Sequence, residues 1–210
     1  MYGKLYVFEG PDGIGKTTLS QMFSAYLNLI NQKCSYYSFP GNRSGTLGKH
    51  IYEIHHELQD VGITNINPTS LQILHIASHV DSIESEILPV LRSGRSIVLD
   101  RFWWSTIVYG RVYGAKNESL AKLIEIEKMH WAEFQPECVF YLKRKSTLKS
   151  PPMAHWDELV EAYDKLVLQE RTTTQVKVIV NESLPEDALK QIIEVYESFE
   201  KKINGQKAGA

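Results

Sequence analysis

The segment from residue 10 to residue 18 restricts the possible folds of this chain more than any other. It matches the pattern G-x-x-x-x-G-K-[ST] and adds one threonine: Gly10-Pro11-Asp12-Gly13-Ile14-Gly15-Lys16-Thr17-Thr18. A short apolar run precedes it, and apolar residues at helical spacing follow it from 17 to about 30. A glycine-rich turn between a strand and a helix directs backbone N–H groups and the positive end of the helix at an anion. The pattern therefore predicts a phosphate-binding loop for ATP, with Lys16 at the β- and γ-phosphates and Thr17 at Mg²⁺.

Composition excludes several classes of partner. The chain has 210 residues and a net charge of −2, with 23 basic and 25 acidic residues. This length suits one well-buried domain, so we expect residues 1–210 to form a single domain with a frayed tail at about 203–210. No basic excess favours a nucleic-acid backbone or a membrane surface, and no apolar run is long enough to span a membrane. We therefore expect a cytoplasmic protein without nucleic-acid or membrane partners.

Apolar runs alternate with helical patterns along the chain. The runs lie near 4–9, 35–39, 95–100, 138–142 and 176–180. Strands that alternate with helices predict an α/β fold with a five-stranded parallel sheet flanked by helices. Ligands of such folds bind at the carboxyl ends of the strands, which points to the segments after the first four strands.

The third predicted strand ends in Asp100-Arg101. In a phosphate-loop fold, a carboxylate at this place can hold Mg²⁺, and a guanidinium beside it can bind phosphate oxygens in a bidentate manner. The alternative is a structural ion pair between Asp100 and a neighbour. The phosphate loop favours the functional interpretation.

Three motifs together resemble the thymidylate kinase family of nucleoside monophosphate kinases. They are residues 8–18, Phe39-Pro40 followed by Arg43 and residues 45–48, and the segment from Asp100 through Trp104 and Ser105 to Tyr109. The motifs and their spacing agree over about residues 4–115. The resemblance implies a three-layer phosphate-loop fold and transfer of the γ-phosphoryl group of ATP to a nucleoside monophosphate, with Mg²⁺ as cofactor. It also implies a homodimer.

The resemblance assigns roles by position. Lys16 and the loop amides would hold ATP, and Thr17 with Asp100 would hold Mg²⁺. The acceptor would contact Asp12, Phe39, Arg43, Arg101, Trp104 and Tyr109, with Arg43 and Arg101 at its phosphate and Tyr109 on its sugar. A core position for Tyr109 and a solvated loop position for Arg43 are the alternatives.

The chain departs from the family in the helix that reads the base, here roughly 70–93. The family uses an aromatic residue and an arginine four positions later. These positions hold His75 and His79, or Ile76 and Val80 if the alignment shifts by one residue, and in either case the arginine is absent. Residues four apart share a helix face, so the two histidines can act as a base-recognition pair. Ordinary half-buried histidines and a metal site are the alternatives. Gly110 also stands where the family often has a glutamine. Because of both changes, the resemblance does not determine which base the protein accepts.

The lid is a further departure. The family carries an arginine-containing mobile segment after the fourth strand, whereas here the segment at about 143–155 looks short. Gly13 stands where some members have a compensating arginine. The charge that stabilises transfer must then come from Arg144, Lys145 or Lys149, or from a partner chain. We assign Arg144 to the catalytic set with Lys16, Asp12, Asp100 and Arg101.

These observations leave three hypotheses for the function. The first is an ATP-dependent nucleoside monophosphate kinase that acts on dTMP or another deoxynucleotide. The second is a kinase of a free nucleoside or related small molecule, which would need Asp12, Glu9 or Asp100 as a general base. The third is a nucleotide-binding regulatory protein with weak or lost turnover.

Overall fold

A computed structural model describes residues 2–131 and 133–207, with side chains described to residue 201. Its centre is a parallel sheet with the strand order β2-β3-β1-β4-β5. The strands are β1 (Leu5–Glu9), β2 (Cys34–Ser38), β3 (Ser96–Asp100), β4 (Cys138–Lys143) and β5 (Val176–Val180). All five lie where the sequence predicts them, so the predicted α/β architecture is confirmed.

Eight α-helices within the described residues connect and flank the strands. They are α1 (Lys16–Leu29), α2 (Leu47–His56), α3 (Pro68–Ser82), α4 (Leu88–Arg92), α5 (Trp103–Val112), α6 (Asn117–Trp131), α7 (Trp156–Glu170) and α8 (Pro185–Lys207). The last helix extends through residue 207, and the expected fraying of the tail from about residue 203 stays a prediction. Residues 208–210 lie outside the described part.

The two faces of the sheet carry separate hydrophobic cores, because side chains alternate along a strand. On β1, Leu5 and Val7 pack with the helices that follow β2, β3 and β4. Tyr6 and Phe8 point to the opposite face and pack with α1 and α8. All four side chains are at most 1% exposed. The central strand is thus held from both sides, which gives the loop after it a rigid support.

The helix predicted over 70–93 contains an irregular turn. Regular α-helix ends at Ser82, a π-helical turn covers Ile83–Ile87, and α4 follows directly. Pro89 explains the break, since it has no N–H to donate to the carbonyl four residues earlier and its ring clashes with that carbonyl. The regular part, α3, carries the candidate base-reading residues.

None of the described helices combines the length and the apolar character that a bilayer crossing requires.

Candidate functional site

The loop between β1 and α1 wraps around the side chain of Lys16. The Lys16 Nζ donates a hydrogen bond to the Pro11 carbonyl at 2.7 Å, and the residue is 5% exposed. Gly15 precedes α1 with φ 88°, a left-handed conformation that glycine adopts without strain. Burial, reinforced by the Arg101 charge, lowers the pKa of Lys16 to about 8. The loop therefore holds a cation beside the backbone N–H groups at the start of α1.

Thr17 and Asp100 meet across the sheet, because the register pairs Phe8 of β1 with Asp100 of β3. The Thr17 hydroxyl donates to Asp100 Oδ2 at 2.6 Å, and Tyr36 donates to the same oxygen at 3.4 Å. The other oxygen, Asp100 Oδ1, is buried and has no hydrogen-bond partner among the described residues. A buried carboxylate oxygen without a partner is costly unless it binds something that this structure does not contain.

Asp12 gathers three cations at the mouth of the loop. It forms an ion pair with Arg101 and lies 3.7 Å from the amino groups of both Lys16 and Lys149. Burial alone would raise the pKa of Asp12, but the charges of Arg101, Lys16 and Lys149 outweigh burial and hold it below its usual range. The Tyr109 hydroxyl accepts the Asp12 N–H at 2.8 Å, and the Arg101 guanidinium lies 5.3 Å from the Tyr109 ring centre. Three cations thus converge on this one carboxylate.

Glu9 holds Arg101 in place from behind. Its Oε1 accepts the backbone N–H groups of Phe102 at 2.7 Å and Ser105 at 3.1 Å, and Tyr163 donates to its Oε2 at 3.0 Å. Burial raises the pKa of Glu9, against the lowering effect of Arg101, Lys16 and these hydrogen bonds. The sequence suggested Glu9 only as a possible base. Its donors make it a positioning residue, and its place between a buried strand and Gly10 is the signal for that role.

A cavity of about 410 Å³ opens in front of these groups. Eight of the predicted site residues line it: Asp12, Thr17, Phe39, His75, His79, Asp100, Arg101 and Tyr109. The structure therefore brings together residues from α1, α3, β3, α5 and the loops after β1 and β2, as expected for the carboxyl edge of a parallel sheet. The cavity is also lined by residues that the sequence alone did not assign to the site: Gln21, Tyr36, Tyr52, His55, Gln72, Ser105 and Thr106.

The two histidines of α3 are anchored by different partners. His79 Nδ1 lies 2.8 Å from Glu127 Oε2 on α6, and the His79 ring stacks on Phe39 at 4.0 Å. His75 Nε2 lies 3.1 Å from His55 Nδ1, and burial lowers the pKa of His75 well below its ordinary value. Among the residues that the structure describes, no group of three or more His, Cys, Asp or Glu side chains could hold a metal ion. No cluster in the described part therefore supports the metal-site alternative for these histidines.

Three predicted site residues lie away from this cavity. Trp104 is 1% exposed and belongs to the core beneath α5, because consecutive helical residues cannot all face the pocket. Arg43 is paired with Glu86, its side chain is 64% exposed, and it lines a second, shallower depression. The Arg144 guanidinium donates to the Asn181 carbonyl, and its Nε is buried without a partner among the described residues. The assignment of Trp104 to the acceptor wall is wrong, and neither arginine faces the acceptor cavity in this structure.

The segment after β4 folds back over the phosphate loop. The Leu148 N–H donates to the Gly13 carbonyl at 2.6 Å, and Thr147 Oγ1 lies 3.4 Å from the Asp12 carbonyl. A β-carbon added at Gly13, whose φ is 74°, would lie 2.2 Å from Thr147 Oγ1. The absence of a side chain at Gly13 thus lets the lid segment touch the loop, and Lys149 of this segment lines the cavity.

Comparisons with known proteins agree with this geometry. The chain matches the family model of thymidylate kinase over residues 8–202. It is 30% identical to a thymidylate kinase of Limosilactobacillus reuteri, over 99% of this chain and 95% of the relative. It is also 30% identical to a thymidylate kinase of Chlorobium luteolum, over 79% of this chain and 77% of the relative.

A solved structure shares the fold. It is a thymidylate kinase from Ehrlichia chaffeensis, with a TM-score of 0.74 and 19% identity, and the match covers 93% of this chain and all of that one. The phosphate-loop fold, the site at the sheet edge and the match over nearly the whole length support one conclusion: the chain belongs to the thymidylate kinase family.

Proposed function

We propose that this protein transfers the γ-phosphoryl group of ATP to the phosphate of a nucleoside monophosphate, with dTMP as the acceptor. The observation that carries the proposal is the set of three cations, Arg101, Lys16 and Lys149, that surround the Asp12 carboxylate beside a nucleotide-sized cavity. Phosphates compete well for such cations, because they carry more charge and more acceptor oxygens than a carboxylate. Donor and acceptor phosphates would therefore meet at this point.

The reaction requires that the donor and acceptor phosphates are positioned next to each other and that their negative charge is neutralised. An oxygen of the acceptor phosphate attacks the γ-phosphorus, the bond to the β-phosphate breaks, and two nucleoside diphosphates result. Because the acceptor is already an anionic nucleophile, no general base is needed. A free nucleoside would need one, and Glu9 is unsuited to that task because it is fully buried and accepts hydrogen bonds from five groups of Gly10, Phe102, Ser105 and Tyr163.

Thr17 and Asp100 fit a magnesium ion. One is a hydroxyl and the other a carboxylate with a buried oxygen that lacks a partner, and Mg²⁺ prefers oxygen ligands of this kind. Mg²⁺ held here would neutralise charge on the β- and γ-phosphates.

Assembly and location complete the proposal. Ile73 of α3 and Ile126 and Met129 of the adjacent α6 are 49%, 44% and 75% exposed. Such a group of apolar side chains supports the expected homodimer, which light scattering on a sizing column would test. We place the enzyme in the cytoplasm, where ATP and nucleoside monophosphates occur together.

An ADP-release assay tests the proposed activity. The purified protein with ATP and Mg²⁺ should release ADP with dTMP, in a panel that includes the other nucleoside monophosphates, their deoxy forms and the free nucleosides. Absence of ADP above background with every acceptor would refute the proposal.

The variant Lys16→Ala is the matched control for that assay. It should abolish transfer, because Lys16 is the cation at the transferred group, while the circular dichroism spectrum and the melting temperature stay near those of the wild type. Retained turnover would mean that another residue holds the phosphates.

A further inference from the structure

Gln72 on α3 is a buried cavity residue whose amide has nothing to bind. It lines the cavity and is only 5% exposed. Most other polar groups of the cavity wall have partners, such as the Thr17 hydroxyl on Asp100 and the Tyr109 hydroxyl on Asp12. The Gln72 amide makes no hydrogen bond to any residue that the structure describes. Neither polar atom of this amide is among the fully buried atoms that lack a partner, so the amide is open to the cavity, where it is available to a ligand.

The position of Gln72 places it beside the candidate base-reading residues. Gln72, His75 and His79 follow one another at spacings of three and four on α3, which puts them on one face of the helix. His75 and His79 already have polar partners in His55 and Glu127. Of these three side chains, Gln72 is therefore the one whose donor and acceptor have no partner among the described residues.

The stem of Gln72 is held by the close approach of α5. A β-carbon added at Gly110 would lie 3.2 Å from Gln72 Cγ and 2.5 Å from Leu120 Cδ2. The missing side chain at Gly110 thus makes room for Gln72, whose stem packs against the α5 backbone. Packing of this kind limits the rotamers of Gln72 and prepares its amide for binding.

We propose that the Gln72 amide reads the base of the acceptor by a pair of hydrogen bonds to neighbouring N–H and C=O groups of a pyrimidine. The side-chain oxygen accepts the N3–H of thymine, and the side-chain NH₂ donates to the adjacent carbonyl oxygen. An amide is suited to this edge because it presents one acceptor and one donor side by side. This inference rests on the proposed function and names the residue that selects the base.

The test replaces the amide without changing the size of the side chain. Gln72→Met should raise the KM for dTMP about ten- to a hundredfold, since a good bidentate contact to a base contributes discrimination of this order. The kcat should stay within about twofold, because a contact that is equal in the ground and transition states changes only KM. Gln169→Met, an exposed glutamine on α7, is the matched control and should change neither constant.

A shape analogue separates base reading from a structural role. The monophosphate of difluorotoluene deoxyriboside has nearly the outline of dTMP but no comparable hydrogen-bonding edge. The KM for this analogue should be the same in the wild type and in Gln72→Met. A general distortion of the pocket in Gln72→Met would instead raise the KM for dTMP and the KM for the analogue together. Gln72→Asn, which withdraws the amide by one methylene, should show the same split and covers a failure of the methionine variant to fold.

The outcomes distinguish this inference from the proposed function. An active wild type whose KM for dTMP is unchanged in Gln72→Met would overturn the role of Gln72 alone. An equal rise in the KM for the shape analogue in Gln72→Met would also overturn it. So would a preference of the wild type for dGMP, whose purine base carries a similar N–H and C=O edge. A wild type without turnover on any nucleoside monophosphate would overturn the proposed function itself.

Discussion

Lys16 carries its charge in an unfavourable place. It is 5% exposed, and its amino group donates to the Pro11 carbonyl and lies near Asp12. Burial and the neighbouring Arg101 bring its pKa down to about 8. A bound triphosphate would favour the protonated form strongly, since it places negative charge against the amino group. The affinity for ATP is therefore coupled to the protonation of one side chain.

ATP binding should weaken above pH 8. Below that pH, Lys16 is mostly protonated in the free protein, so the Kd for ATP should change by less than about twofold between pH 7.5 and 8. Above it, the proton must be taken up on binding, so the Kd should rise towards tenfold per pH unit. Calorimetry between pH 7.5 and 9.5 measures this, with Lys16→Ala as the control whose weaker binding should lack the slope. An unchanged wild-type Kd at pH 9.5 would show that the lysine stays charged in the empty loop.

The contact between β1 and α5 sets the geometry of Arg101. Arg101 has φ 76°, a left-handed conformation that is strained for a residue other than glycine. Helix α5 has no side-chain cap of its own at Phe102, and Glu9 at the end of β1 accepts the N–H groups that such a cap would satisfy. One strand thus caps the helix that follows another strand, and this contact supports the strained turn that aims Arg101 at Asp12.

Glu9→Gln should weaken this contact between β1 and α5. The amide replaces one acceptor oxygen with a donor, which leaves N–H or O–H groups of Phe102, Ser105 or Tyr163 facing another donor. Unfolding in urea should show a loss of about 1–3 kcal/mol in the free energy of unfolding, the usual cost of an unsatisfied buried group. The kcat/KM for dTMP should fall as Arg101 loses its position. Glu186→Gln, at an exposed carboxylate of α8, should do neither, and equal stability of the two variants would contradict the capping role.

At the scale of the whole molecule, the lid segment after β4 contacts the phosphate loop after β1, although the two are distant in sequence. Leu148 bonds to Gly13, which lies far away in sequence, and Lys149 reaches Asp12 from the same segment. Arg144 instead lies on Asn181, which in turn donates to the Ile14 carbonyl at 2.7 Å behind the loop. The short lid therefore presents Lys149, rather than Arg144, to the acceptor side of the site.

Lys149→Ala should slow the chemical step. Its side chain is 53% exposed, so stability should change by less than about 0.5 kcal/mol. The kcat should fall about a hundredfold if its charge stabilises the transferring group, since one such donor typically contributes that much. Single-turnover kinetics measures the step, with Lys165→Ala on the outer face of α7 as the control. A kcat within twofold of the wild type would show that the charge comes from elsewhere, for example from a second subunit.

The sequence was most informative where local pattern and chemistry coincide. The glycine-rich turn, the apolar strands and the Asp100-Arg101 step each depend on neighbouring residues, and the structure places all of them as predicted. Trp104 shows the limit of this reasoning. An aromatic residue beside a site motif can face the pocket or the core, and the rotation of α5 decides between them.

Sequence reasoning alone was enough to find the succession of strands and helices along the chain, the phosphate loop and the family to which the chain belongs. The set of side chains that share the cavity became known from the packing: Glu9 supports Arg101, Glu127 holds His79, and Gln72 faces the cavity with an amide that has no partner among the described residues. The physical reason is that a motif depends on contacts within a few residues, whereas a pocket depends on how helices distant in sequence pack together. A single missing side chain at Gly110 changes that packing, and its spacing in the sequence carries no sign of the neighbour it will meet.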